Sequence, residues 1–149
     1  MESVPLKIIF RTLSVIFFII ALLSLFSFGA QFYLYSKTNL WKPLMTLSFA
    51  GFGFIGSFAL WGYKKWSVVI FSINFLNILL TQALNLKTLN STTLNRVALP
   101  ILLSGGVLLL VYFSRHRLNG VYLKWLPILL FAGFTLLNQI SLGYILGIW

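Results

Sequence analysis

Residues 41–66 read WKPLMTLSFAGFGFIGSFALWGYKKW, and this stretch decides the fold. After Lys42 it carries no charge until Lys64. From Trp41 to Trp61 is about 20 steps, or about 30 Å at the helical rise, which is one hydrocarbon thickness of a bilayer. Trp favours the membrane–water interface because its ring is apolar with one polar edge, so the two indoles mark the ends of a span. Pro43 falls in the first helical turn, where the missing N–H would have had no partner. Tyr63-Lys64-Lys65 then leaves room only for a tight turn before Trp66, so two spans form an antiparallel hairpin.

Working outward, the same pattern predicts an all-α membrane bundle of five transmembrane helices, at about 12–35, 43–63, 66–86, 97–113 and 122–149. It becomes four if the first segment is a cleaved signal. Lys7 and Arg11 would suit such a signal, but the apolar run exceeds the usual length. Trp125 and Trp149 bracket the last segment at about 36 Å, which predicts a tilted or protruding helix. Tyr33, Tyr35, Tyr63, Tyr112 and Tyr122 also sit at predicted ends. Pro100 and Pro127 are placed in first turns, with no proline in mid-span. The chain reads as one integral membrane domain, 1–149.

Composition agrees. The 149 residues are 60% hydrophobic and only 8% charged, where a soluble domain carries roughly 25% charged residues. Eleven Lys and Arg face a single acid, Glu2. The cations stand in ones and twos between apolar runs, as anchors against anionic lipid headgroups do, and no cluster is long enough for a nucleic-acid patch. With no carboxylate in any span, proton relays, paired-carboxylate hydrolysis and carboxylate metal centres lack their residues. With no Cys and one His, thiolate chemistry and multi-histidine metal sites fail too. The expectation is a protein that is not an enzyme and holds no metal or cofactor.

Lys7, Arg11, Lys64, Lys65, Arg115, Arg117 and Lys124 fall on one predicted side, and Lys37, Lys42, Lys87 and Arg96 on the other. The positive-inside bias then puts the N-terminus in the cytoplasm and the C-terminus outside. The run Gly62-Tyr63-Lys64-Lys65-Trp66-Ser67 resembles the span-to-span junctions of many small bacterial membrane proteins. That implies a bacterial cytoplasmic membrane, although the physics of the run is generic. Asn90-Ser91-Thr92 fits a glycosylation pattern close to the membrane.

Three features could carry function. On the third helix, Ser67, Asn74, Asn77, Thr81 and Asn85 fall within an arc of about 80°. On the fifth, Thr135, Asn138 and Gln139 cover about 100°. Amides inside a bilayer must find partners because lipid offers none. Asn74, Asn77, Thr81, Asn85, Asn138 and Gln139 are therefore either interhelical glue or the lining of a ligand site, and glue is the simpler reading. Lys64, Lys65, Arg115 and Arg117 could hold an anionic lipid headgroup or an acidic partner. On the second helix, Ala50, Gly53 and Ser57 form one small-residue face, and Ser48, Gly51, Ala59 and Gly62 another. Two such faces predict two close neighbours, and so a central position.

Two weaker signals read as packing. Ser104-Gly105-Gly106 has no base within reach, since His116 is about 18 Å further along a continuous helix. Phe49-Ala50-Gly51-Phe52 after Lys42 is echoed by Phe131-Ala132-Gly133-Phe134 after Lys124. Repeats occur in transporters, but the flanking positions barely match. The functional expectation is a non-catalytic accessory, assembly or scaffold subunit of a larger membrane complex, with other membrane subunits or a second copy as partners. The alternative is a small channel, carrier or lipid-binding protein using the third-helix stripe.

Overall fold

The computed structural model describes residues 4–35, 37–86 and 94–148, and of these the side chains of 85–86 and 94–97 are left aside. Five α-helices account for most of it: α1 Val4–Tyr35, α2 Trp41–Trp61, α3 Trp66–Leu86, α4 Leu94–Phe113 and α5 Trp125–Ile145, with a short 3-10 turn at Arg115–Arg117. Four of them, α1, α2, α3 and α5, are long and apolar enough to cross a membrane. In α4 the apolar part is the shorter stretch Ala98–Phe113. The protein is a membrane helical bundle.

Indoles begin or end three of these helices: Trp41 and Trp61 bound α2, Trp66 opens α3 and Trp125 opens α5. The ends differ from the sequence expectation where local backbone chemistry intervenes. The helix predicted at 43–63 stops at Trp61, because Tyr63 takes a left-handed φ of 49°. There Lys64 N–H bonds Ala59 O at 3.1 Å and Tyr63 N–H bonds Leu60 O at 3.2 Å, the paired bonds of a Schellman cap. A bulky residue strains in that region. Tyr63 is held by stacking on Phe10 at 5.6 Å and by its hydroxyl, which donates to Lys7 O at 2.8 Å.

The last helix is shorter than 122–149. Its start moves to Trp125 because Lys124 just before it is extended, at φ −113° and ψ 102°. Gly147 (φ +67°) ends it at Ile145, with Ile148 N–H on Gly143 O and Gly147 N–H on Tyr144 O. A helix of 21 residues spans about 31 Å, so the excess length inferred from Trp125 to Trp149 disappears; Trp149 itself lies outside the described residues. Conversely, α1 begins at Val4 rather than near residue 12, since Lys and Arg are good helix formers and the helix runs on through Lys7 and Arg11. α4 begins at Leu94, which puts Pro100 inside the helix rather than in its first turn.

α2 is central. It packs on α1, α5 and α3, while α3 also meets α4 and α5. The chief partner of α1 is α2, and that of α4 is α3. The two small-residue faces explain the centre. A Cβ on Gly53 would lie 2.7 Å from Ala21 Cβ and 2.8 Å from the Phe17 carbonyl oxygen of α1. One on Gly51 would run into the Phe134 ring of α5. The Phe-Ala-Gly-Phe echo therefore joins two helices that pack together antiparallel, Phe52 against Phe131 at 5.0 Å. The symmetry stops there: Gly51 is filled by Phe134, whereas nothing lies within 4 Å of a Cβ built on Gly133.

The aromatic and aliphatic core gathers toward one end of the bundle, around Phe10, Leu60, Tyr63, Trp66, Ile70 and Val111. At this end the α2–α3 turn clasps the α4–α5 connection. Asn119 N–H donates to Tyr63 O at 2.6 Å and Lys65 N–H to Asn119 O at 2.9 Å. That clasp brings Lys64, Lys65, Arg115, Arg117 and Lys124 to the end where Lys7 and Arg11 also lie.

Candidate functional site

The polar residues of α3 and α5 meet in the interior, joined by one serine of α2. Asn77, Asn138 and Ser48 are buried, at 3%, 1% and 0% exposure. Ser48 Oγ lies 2.6 Å from Met45 O and 3.2 Å from Asn138 Oδ1, a donor shared between two acceptors. Asn138 Nδ2 donates to Asn77 Oδ1 at 3.4 Å. Gln139 Nε2 donates to Asn77 Oδ1 at 2.5 Å, to Asn77 O at 3.2 Å and to Thr81 Oγ1 at 3.1 Å. Asn77 is 11 residues along α3 from Trp66 and Asn138 is 13 along α5 from Trp125, or about 17 and 20 Å into a span of about 30 Å. The cluster thus sits at membrane depth.

Its chemistry is neutral and fully internal. Amides there are expensive unless bonded, and each amide takes its partners from another helix of the same chain. Thr81, one turn beyond Asn77, completes the acceptor set for Gln139. Sequence periodicity put these residues on facing arcs; it gave no sign of Ser48, which belongs to the small-residue face of α2 and closes the cluster from a third helix. The rest of the stripe behaves differently. Asn74 is half-buried and has no hydrogen bond among the described residues. Ser67 is fully buried with its Oγ unpartnered among them. Thr135 turns its hydroxyl to Phe131 O in its own helix. The side chain of Asn85 lies outside the described residues, as do those of Lys87 and Arg96, the tripeptide Asn90-Ser91-Thr92 and Glu2.

A second buried polar contact ties α1 to α2: Ser14 Oγ donates to Ser57 O at 2.7 Å and lies 3.0 Å from Ser57 Oγ. Ser104, on α4, donates to Ile101 O at 3.1 Å, and Gly105 beside it lets Phe75 of α3 approach to 3.4 Å from a built Cβ. His116 is in the 3-10 turn beyond the end of α4.

Several cations lie over aromatic rings. Arg115 lies over the Tyr112 ring at 4.1 Å and Lys65 over Tyr122 at 5.6 Å. Arg11 lies over Trp61 at 5.4 Å. At the other end, Lys42 covers Tyr35 at 4.8 Å. Each pairing fixes a cation at the level where interfacial aromatic rings sit. Among the described residues no group of three or more His, Cys, Asp or Glu could hold a metal.

Compared with protein-family models, curated proteins and solved structures, the chain matches none.

Proposed function

We propose that this chain is a non-catalytic accessory, assembly or scaffold subunit of a larger membrane complex, working without a cofactor. One observation carries the reading: the buried amides of Asn77 and Asn138 and the half-buried amide of Gln139 bond across α3 and α5, with Ser48 of α2. Polar groups spent on holding helices together suit a building element, since a conduit or substrate site presents such groups to an open path. Partners fit the outer flanks, where the exposed apolar faces of α1 and α4 meet lipid, other membrane subunits or a second copy. The cation-rich end faces anionic headgroups. By the positive-inside bias that end is cytoplasmic, which puts the N-terminus inside and the C-terminus outside a bacterial cytoplasmic membrane.

The test is extraction from the native membrane in mild detergent, followed by affinity capture and sizing. The subunit reading expects a stable complex with other membrane proteins or with itself. A chain that emerges alone as a monomer contradicts it.

One observation favours the second reading, a small channel, carrier or lipid-binding protein using the third-helix stripe: Asn74 keeps its amide without a hydrogen bond among the described residues. On that reading Asn74→Leu abolishes a flux or ligand signal and leaves the fold intact.

A further inference from the structure

A cavity of about 650 Å³ opens between the start of α1's span, the end of α2 and the start of α5, inside the range of roughly 300–1,000 Å³ typical of ligand pockets. Phe18, Phe54, Phe58 and Leu130 supply apolar walls, and Trp61 and Lys124 stand at its cationic end. Arg11 lies over the Trp61 ring, which brings a second cation to the same rim. From Trp61 to Phe54 the groove follows α2 for about 10 Å, most of a leaflet of about 15 Å. Trp66 lines it as well, 2% exposed, with an Nε1–H that has no acceptor among the described residues. A groove that merely packed against bulk lipid tails would need no cations at its rim.

We infer that this groove is a binding site for one anionic glycerophospholipid, with an acyl chain along Phe18, Phe54 and Phe58 and the phosphate held between Arg11 and Lys124. Charge and shape select the occupant together. The walls take a hydrocarbon chain and the rim takes a single phosphate at interfacial depth, where Trp61 marks the headgroup boundary. The cations used are not Lys64, Lys65, Arg115 and Arg117, the ones grouped along the sequence. Arg11 and Lys124 are 113 positions apart in the chain; Lys124 lines the groove, and Arg11 reaches the same rim by lying over the Trp61 ring. The inference does not depend on the accessory-subunit reading and stands or falls separately from it.

Native mass spectrometry of the detergent-purified full chain, with added dioleoyl phosphatidylglycerol or dioleoyl phosphatidylcholine, tests the site. Two interfacial cations give an expected preference for phosphatidylglycerol on the order of tenfold, at one lipid per chain. The R11Q/K124Q pair removes the preference. Val15→Phe, which fills the groove without touching charge, lowers retention of both lipids. The charge-matched K64Q/K65Q pair leaves the preference in place. Equal retention of the two lipids by the wild type overturns the inference. So does an equal loss in K64Q/K65Q, which marks diffuse surface attraction, or unchanged lipid retention in Val15→Phe. Dimers that exclude lipid from the groove also overturn it, by making a second copy the occupant.

Discussion

Gly53 and Gly56 lie three residues apart on α2, and the structure gives them opposite tolerance. At Gly53 a built Cβ meets Ala21 Cβ at 2.7 Å, the Phe17 carbonyl oxygen at 2.8 Å and Ala21 Cα at 3.1 Å. Two of these are backbone atoms, so α1 itself must move outward. At Gly56 the nearest atoms are Phe71 Cζ at 3.5 Å and Phe17 Cδ1 at 3.8 Å, ordinary contacts. Both substitutions to Ala gain the same helix propensity, about 1 kcal/mol, so their difference isolates packing. Overpacking costs about 1–3 kcal/mol, and Gly53→Ala is expected to be less stable than Gly56→Ala by that amount. Reversible unfolding in mixed detergent–SDS micelles, followed by circular dichroism, measures the difference. Equal stabilities, or a more stable Gly53→Ala, would refute the close contact of α1 with α2 on which the central position of α2 rests.

Ser14→Ala removes the donor to Ser57 O and should cost about 0.5–1.5 kcal/mol in the same unfolding assay, whereas Ser14→Thr should retain most of it. Pro100→Ala restores a backbone donor inside α4 and should raise stability, by less than the roughly 3 kcal/mol an interior proline costs a soluble helix, because membrane helices re-satisfy such gaps. Reporter fusions in the Lys64–Lys65 turn and at the N-terminus should both report cytoplasm, with a C-terminal fusion reporting outside; the reverse pattern would contradict the positive-inside assignment.

The spans were readable from sequence because their signals are local. Each described indole sits where a helix begins or ends, and the small residues of α2 announce two neighbours. Helix ends were less readable, since they depend on single dihedral angles: Tyr63 and Gly147 stop helices by turning left-handed, and a turn or a glycine nearby does not fix which residue does so. The extension of α1 back to Val4 was hidden because Lys7 and Arg11 look like flanks in sequence yet are helical in structure. At the amide cluster, periodicity gave the faces and not the partners. Asn74 and Asn77 share one stripe, but only Asn77 bonds across to α5. The part of Ser48 was out of reach, because it bonds Asn138 from a helix 90 positions away in the chain.

The central claim is that the intramembrane amides hold α3 to α5. A double-mutant cycle with Asn77→Leu, Gln139→Leu and the double variant tests it most directly, read as unfolding free energy. The account predicts a favourable coupling of about 0.6 kcal/mol, and up to about 1.7, the range measured for such bonds in membranes, with helix content unchanged. Additive losses with no coupling would contradict it, and would mean that Asn77 and Gln139 do not act on each other.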